Sequence, residues 1–241
     1  MNAPKQGMIL AAGMGKRLGN DERIISKPLL EVAGKSLIQY MIEFTRSLGV
    51  GDLIVVGGFK YETLEAVVKK NDSKVILARN NRYELQNLVS FKTGLDKAAD
   101  DDLFVCNADY IFMPHTIEAI KESPRELAVY ASYDTSEDST DAMKVRTDQN
   151  NKLLEMSKQL TEFQAIYSGM FFIPKELIPE VRKIVDDLMA TEDLAKASVE
   201  VIFKALMNTG HTISVDDVGK PDWFEIDTVE EWEVAKRALE K

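Results

Sequence analysis

Apolar residues follow two rhythms along this chain, and the rhythm changes near its middle. From Gly7 to Ala12 the run is unbroken and closed by Gly13, as expected of a strand buried on both faces. From Ser36 to Leu48 the apolar positions Ile38, Met41, Ile42, Phe44 and Leu48 recur at helical spacing, with Ser36 placed to start the helix and Gly49 to end it. The alternation then repeats through strand DLIVVGG, helix YETLEAVVKK, strand KVILARN, helix NLVSFKTGLDKA, strand DLFVCNAD, helix PHTIEAIKES and strand ELAVYAS. Such alternation predicts βαβ crossovers, and so an α/β fold with a mostly parallel sheet flanked by helices.

Beyond Ser132 the pattern loses its helices. AMKVRTD, KLLEMSK and FQAIYSGMFFI read as successive strands, predicting a small antiparallel sub-sheet over the mouth of a site. PKELIPEVRKIVDDLMA and LAKASVEVIFKALMNTG read as helices, HTISVDDV as a strand leading to PDWFEIDT, and Val229 to Leu239 as a last helix. No Pro/Gly/Ser-rich linker and no repeat interrupts the 241 residues, so 1–241 is expected as one domain.

Composition narrows the classes of function. A net charge of -10 argues against a nucleic-acid surface, and no run of about 20 apolar residues predicts membrane insertion. MNAPKQG lacks the build of a secretion signal, and the single Cys106 cannot form an intrachain disulfide, so a cytoplasmic location is expected. His115 and His211 have no third ligand spaced for zinc.

Ligands of parallel sheets lie beyond the carboxyl ends of the strands. Gly13-Met14-Gly15-Lys16-Arg17 follows one such end and Asn107-Ala108-Asp109 another, so the two are expected to face one site. Glycines let backbone N–H groups approach a polyanion, and Lys16, Arg17, Arg23 and Lys27 gather positive charge on an acidic chain. The wording is neither G-x-G-x-x-G nor the Walker loop, because Leu18 stands where the third glycine belongs and no Gly-Lys-Ser/Thr closes the turn.

Through Leu10-Ala11-Ala12-Gly13, Gly15, Arg17 and Lys27-Pro28 the chain resembles the nucleotidyltransferases that include sugar-1-phosphate pyrophosphorylases and small cytidylyltransferases, whose signature is L-A-A-G-x-G-x-R, a gap, then K-P. LLEVAGKSLIQYMIEF, Asn107-Ala108-Asp109 and Glu225-Ile226-Asp227-Thr228 extend the resemblance over nearly the whole chain. It implies a Rossmann-like fold of the nucleotide-diphospho-sugar transferase type. It also implies Mg²⁺ held by Asp109 and Asp227, and a nucleotide held by Leu10, Ala11, Ala12, Gly13, Gly15, Lys16, Arg17, Lys27 and Ala108. Read locally, Asp109 also suits a cap for the helix near Pro114, and Asp227 a start for the last helix.

The sugar-1-phosphate branch continues R-L-x-P-L-T, whereas this chain reads Arg17-Leu18-Gly19-Asn20. Asn87 with Ser90 resembles the N-x-x-S element of bacterial phosphocholine and inositol-1-phosphate cytidylyltransferases, which implies CTP; alone, Asn87 reads equally as a cap of its own helix. LLEMSKQLTEFQAIYSGMFFI resembles the inositol-phosphate branch, where a lysine meets the acceptor phosphate. Lys158 matches best and Lys144 second, and either also reads as a surface lysine. For the rest of the acceptor, Tyr110, Tyr133, Tyr167 and Trp223 would suit choline, Glu200 or Glu225 an aminoalkylphosphonate, and several hydroxyl partners inositol; the residues leave the choice open.

The resemblance therefore implies a Mg²⁺-dependent cytidylyltransferase that moves CMP from CTP onto a small phosphorylated alcohol or phosphonate and releases pyrophosphate. Arg17, Lys27 and Lys158 would be catalytic, and Tyr110, Lys144, Lys158 and Glu225 would bind the acceptor. The alternatives are a sugar-1-phosphate nucleotidyltransferase using UTP, dTTP or GTP, and a catalytically silent nucleotide-binding relative. A homodimer is common among such enzymes.

Overall fold

The computed structural model describes residues 3–18, 26–136, 141–220 and 223–240. In chain order its elements are β1 (Gln6–Ala11), β2 (Glu31–Val32), β3 (Lys35–Ser36), α1 (Leu37–Ser47), β4 (Asp52–Gly57), α2 (Tyr61–Asn71), β5 (Ile76–Arg79), α3 (Asn87–Leu95) and β6 (Leu103–Asn107). There follow β7 (Tyr110–Phe112), α4 (Pro114–Glu122), β8 (Ala128–Ser132), β9 (Lys144–Thr147), β10 (Leu153–Ser157) and β11 (Ala165–Ile173). The chain closes with α5 (Ile178–Thr191), α6 (Val201–Asn208), β12 (Ser214–Asp217), β13 (Trp223–Glu225) and α7 (Val229–Leu239).

The centre of the main sheet is parallel, in the order β5-β4-β1-β6. β1 sends Met8 and Leu10 to one face and Ile9 and Ala11 to the other, which is why its sequence is apolar without alternation. α1 covers one face with Ile38 and Met41, while α3 covers the other with Leu88 and Phe91. Full burial of each such side chain contributes about 1.5–3 kcal/mol, so both layers are integral to the fold. Ser36 starts α1 through a capping box with Gln39.

From β1 the chain winds through β4 to β5, then returns to place β6 on the opposite side of β1. Strand order therefore reverses between β1 and β6, and a crevice opens beyond their carboxyl ends. The antiparallel strands expected after Ser132 continue the sheet past β6, with β11 pairing β6, β9 and β8. A separate two-stranded antiparallel sheet, β7–β13, borders the crevice.

The expectations need amendment at one helix and at three short strands. The helix read from Leu194 begins only at Val201, because the preceding segment is anchored on the start of α3: the Gln86 N–H donates to the Leu194 carbonyl at 3.1 Å. The β2–β3 hairpin and β7 are too short to carry a period of their own. Gly19, Asn20 and Arg23 lie outside the described residues. Among those described, no helix is long and apolar enough to cross a membrane. Cys106 is buried, and burial pushes its thiol far above the ordinary range, so it is chemically quiet.

Candidate active site

Three pieces of backbone bring charge to the crevice. After β1, Gly15 takes a left-handed φ of 61° and turns the chain into a single helical turn, Lys16–Leu18, which the buried Leu18 anchors. A Cβ added at Gly13 would meet nothing within 4 Å, so the missing side chain leaves open space above the loop. A second short turn, Lys27–Leu29, has the buried Pro28 inside it, whose ring presets the backbone behind Lys27.

The third piece explains how two aspartates more than a hundred residues apart meet. In the β7–β13 pair Tyr110 lies opposite Glu225, and the Ile226 N–H donates to the Asp109 carbonyl at 2.9 Å. This register sets Asp109 and Asp227 side by side. Lys27 Nζ donates to Asp109 Oδ2 at 2.6 Å and also to Asp227 Oδ1. Asp109 caps nothing, since the residue before α4 is Met113. Asp227 leaves capping of α7 to Thr228, whose hydroxyl accepts from the Glu231 N–H at 3.2 Å. Both carboxylates are thus released for the crevice.

Burial by itself would lower the Lys27 pKa, but Asp109 and Asp227 outweigh it and raise it above 10.5. Its ion pairs are therefore intact below the ordinary lysine pKa and are lost only as pH rises through the higher folded value, so Lys27 is charged at neutral pH. Asp109 Oδ1 is buried without a hydrogen-bond partner. Among the described residues, no group of three or more His, Cys, Asp or Glu forms a metal cage. Two converging carboxylates with an unsatisfied oxygen fit a hard cation that completes its shell from phosphate and water, as Mg²⁺ does.

The charges continue outward in alternating sign. Arg17 donates to Asp227 at 2.7 Å and to Asp141 at 2.9 Å, and Asp141 accepts from Lys158 at 2.9 Å. Three cations suited to phosphates thus rest on carboxylates, from which incoming phosphate oxygens can take them over.

The crevice has two chambers. The first, about 200 Å³, is bounded by Leu10, Ala12 and Gly13 on one side and Asn87 and Ser90 on the other, with Lys27, Ala108 and Asp109 at its base. The second, about 180 Å³, is bounded by Tyr110, Lys158, Glu225, Tyr167, Glu200 and Asp141. Gln86, Asn87 and Asn107 border both. Asn87 is not the cap of α3, a place taken by Gln86; its Oδ1 accepts from the Val199 N–H at 2.7 Å. Ser90 is held by Asn80 at 3.0 Å.

Other anticipated residues sit elsewhere. Ala11 and Gly15 do not border the first chamber, the Lys16 side chain is outside what is described, and Arg17 reaches in only through its ion pairs. Lys144 borders neither chamber; its ammonium stands 5.1 Å over the Phe163 ring. Tyr133 and Trp223 are likewise not chamber walls, Trp223 packing on Phe112 instead. Sequence reasoning brought Asn107 to the site only within Asn107-Ala108-Asp109, without a role of its own, and did not find Gln86 or Asp141. Asn107 had a usable signal, being a polar residue at the end of a buried strand; Asp141, in a polar loop, had none.

Residues 7–198 match the model of the MobA-like NTP transferase domain. A CTP:phosphoglutamine cytidylyltransferase from Campylobacter jejuni is 24% identical, over 94% of this chain and 97% of that protein. The inositol-1-phosphate CTP transferase of T. maritima superposes with a TM-score of 0.82 at 22% identity, covering 98% of this chain and 96% of the other. The CTP:phosphocholine cytidylyltransferase of Streptococcus pneumoniae superposes with a TM-score of 0.77 at 21% identity, covering 98% and 99%. With its glycine loop and paired aspartates at the reversal of strand order, the chain belongs to the MobA-like NTP transferase family.

Proposed function

We propose that this protein is a cytidylyltransferase that moves CMP from CTP onto a small phosphorylated acceptor and releases pyrophosphate, one domain carrying the whole activity. The observation that carries the reading is the meeting of Asp109 and Asp227 at Lys27 beside the glycine loop. A relative matched over 97% of its length, a cytidylyltransferase, supports CTP over the nucleotides used by sugar-1-phosphate enzymes. A chamber of about 200 Å³ has the scale of a one-ring base.

The acceptor phosphate is already ionised, so no protein nucleophile or base is needed. An acceptor oxygen attacks the α-phosphorus and the bond to the β-phosphate oxygen breaks. Lys27 and Arg17 would leave their carboxylates to hold the phosphates and the departing pyrophosphate, and Lys158 would hold the acceptor phosphate; positioning and charge stabilisation supply the rate. Mg²⁺ on Asp109 and Asp227 would neutralise charge shared by the two reacting phosphates.

The test is pyrophosphate release from CTP, UTP, dTTP, GTP and ATP against a panel of phosphorylated acceptors, with and without Mg²⁺. Turnover is expected with CTP at least about tenfold above any other nucleotide, a margin worth about 1.4 kcal/mol. Equal use of all nucleotides would overturn the base assignment, and no turnover with any pair would overturn the reading as a whole.

A further inference from the structure

The second chamber is lined by three carboxylates, Asp141, Glu200 and Glu225, and by one ammonium, Lys158, already paired with Asp141. Glu225 lies opposite Tyr110 and shares a hydrogen bond with its hydroxyl. Glu200 differs from both: its Oε2 is sealed from water and accepts nothing. A buried carboxylate oxygen without a donor is costly, and this one belongs to a residue that lines a chamber a ligand could enter.

Building on the proposed transferase, we infer that its acceptor carries a protonated primary or secondary amine at the end remote from its phosphate, and that Glu200 selects it. The charge count asks for a cation. With Lys158 turned to the acceptor phosphate, Glu200 keeps no positive partner among the residues that line the chamber, whereas Glu225 still faces Lys27. The orphaned Oε2 asks for a hydrogen-bond donor, and this separates the candidate ligands. A quaternary ammonium has the charge but no N–H to give, and a polyol has donors but no charge; an alkylammonium has both.

The surroundings agree. Tyr110 and Tyr167 line the chamber with ring surface suited to a short methylene chain. About 180 Å³ accommodates a group of benzene size, enough for an aminoalkyl arm. The terminal torsion of a glutamate is broad, so a small rotation brings the Glu200 carboxylate to an incoming ammonium. Burial already holds Glu200 above the ordinary carboxylate range, as expected of a site that lacks its counter-ion.

The experiment compares 2-aminoethylphosphonate, phosphoethanolamine, phosphocholine, ethyl phosphate and inositol-1-phosphate as acceptors with CTP and Mg²⁺, for the wild type and for Glu200→Gln. The wild type is expected to favour the two primary amines over phosphocholine and both neutral acceptors by at least tenfold in kcat/KM. Glu200→Gln is expected to reduce that preference about tenfold or more, through the KM of the amine. Should Glu200→Gln fail to fold, the wild-type ranking still decides. Preference for phosphocholine or for a neutral acceptor overturns the inference and leaves the transferase standing. An unchanged preference in a folded Glu200→Gln removes Glu200 from the role. Absence of turnover with every acceptor overturns the transferase and the inference together.

Discussion

The two chambers of the crevice are built on opposite principles. At the base of the first, Lys27 is matched by Asp109 and Asp227 before any ligand arrives. The orphaned oxygen of the first, Asp109 Oδ1, belongs to a carboxylate already paired with Lys27; in the second, Glu200 Oε2 has no hydrogen-bond partner and its carboxylate makes no ion pair among the described residues. The first therefore holds its shape by internal charge balance and exchanges partners when phosphates enter. The second is left one cation short, so its ligand supplies what the fold omits. Invariant chemistry is suited to a pre-balanced site and selectivity to an unbalanced one, because an unmet buried group rejects ligands that cannot meet it.

The sharpest way to break this contrast is to unbalance the first chamber. Lys27→Met leaves Asp109, Asp227 and Glu225 facing one another without their ammonium, so turnover should fall by at least about 10³. Stability should fall by about 3 kcal/mol, the low end for removing one partner of a buried pair, because both carboxylates are partly exposed. Added Mg²⁺ should raise the melting temperature of Lys27→Met more than that of the wild type, since a divalent cation can take the vacated place; equal shifts would contradict a shared cation position.

Arg17→Lys tests whether the outer cation acts as a fork or as a point charge. Its guanidinium is exposed and bridges Asp141 and Asp227, so the melting temperature should hardly move. Turnover should drop about 10–100-fold, because a lysine cannot reproduce the bidentate grip. Gly13→Ala fills open space instead of colliding with protein. It should raise the KM for CTP by about tenfold with stability within about 0.5 kcal/mol; an unchanged KM would show that no ligand uses that space.

The smallest effect belongs to the second chamber. Glu200 is held above its ordinary pKa of 4.5, first by burial and then by Asp109, against Lys158, Ser198 and a backbone N–H that favour its charged form. The folded chain therefore binds more protons there than the unfolded chain, and this group's contribution to stability declines as pH rises from about 4.5 through the folded pKa. Glu200→Gln should be the more stable protein at pH 7, by about 1 kcal/mol or less, about 2–4 °C at most. Melting curves of both proteins from pH 4 to 8 should diverge on the alkaline side. Parallel curves would mean that Glu200 is not under strain.

The contrast between the chambers also explains what could be read from the sequence. The first is made of local words, Gly13 to Arg17, Lys27-Pro28 and Asn107 to Asp109, each at a strand end or turn where the chain spells out its backbone need. Glu225 to Asp227 was legible through the resemblance, while its partnership with Asp109 depended on a three-residue strand pairing with no period of its own. The second chamber draws Asp141, Lys158 and Glu200 from a polar loop, a strand end and an irregular segment. Nothing in their spacing announces that they converge. Ser198 and Glu200 read as helix because their neighbours favour helix, yet the hydrogen bond from Val199 to Asn87 holds that segment open over the start of α3. Tertiary contacts overrode propensity there, at the place where acceptor selectivity is proposed to reside.

One substitution tests the meeting of the two aspartates most directly. Asp109→Asn keeps the shape of the side chain and removes its charge, and pyrophosphate release from CTP should fall by at least about 10³ while the protein still melts cooperatively within a few degrees of the wild type. Turnover within tenfold of the wild type would mean that the carboxylates joined at Lys27 do not form the reacting centre.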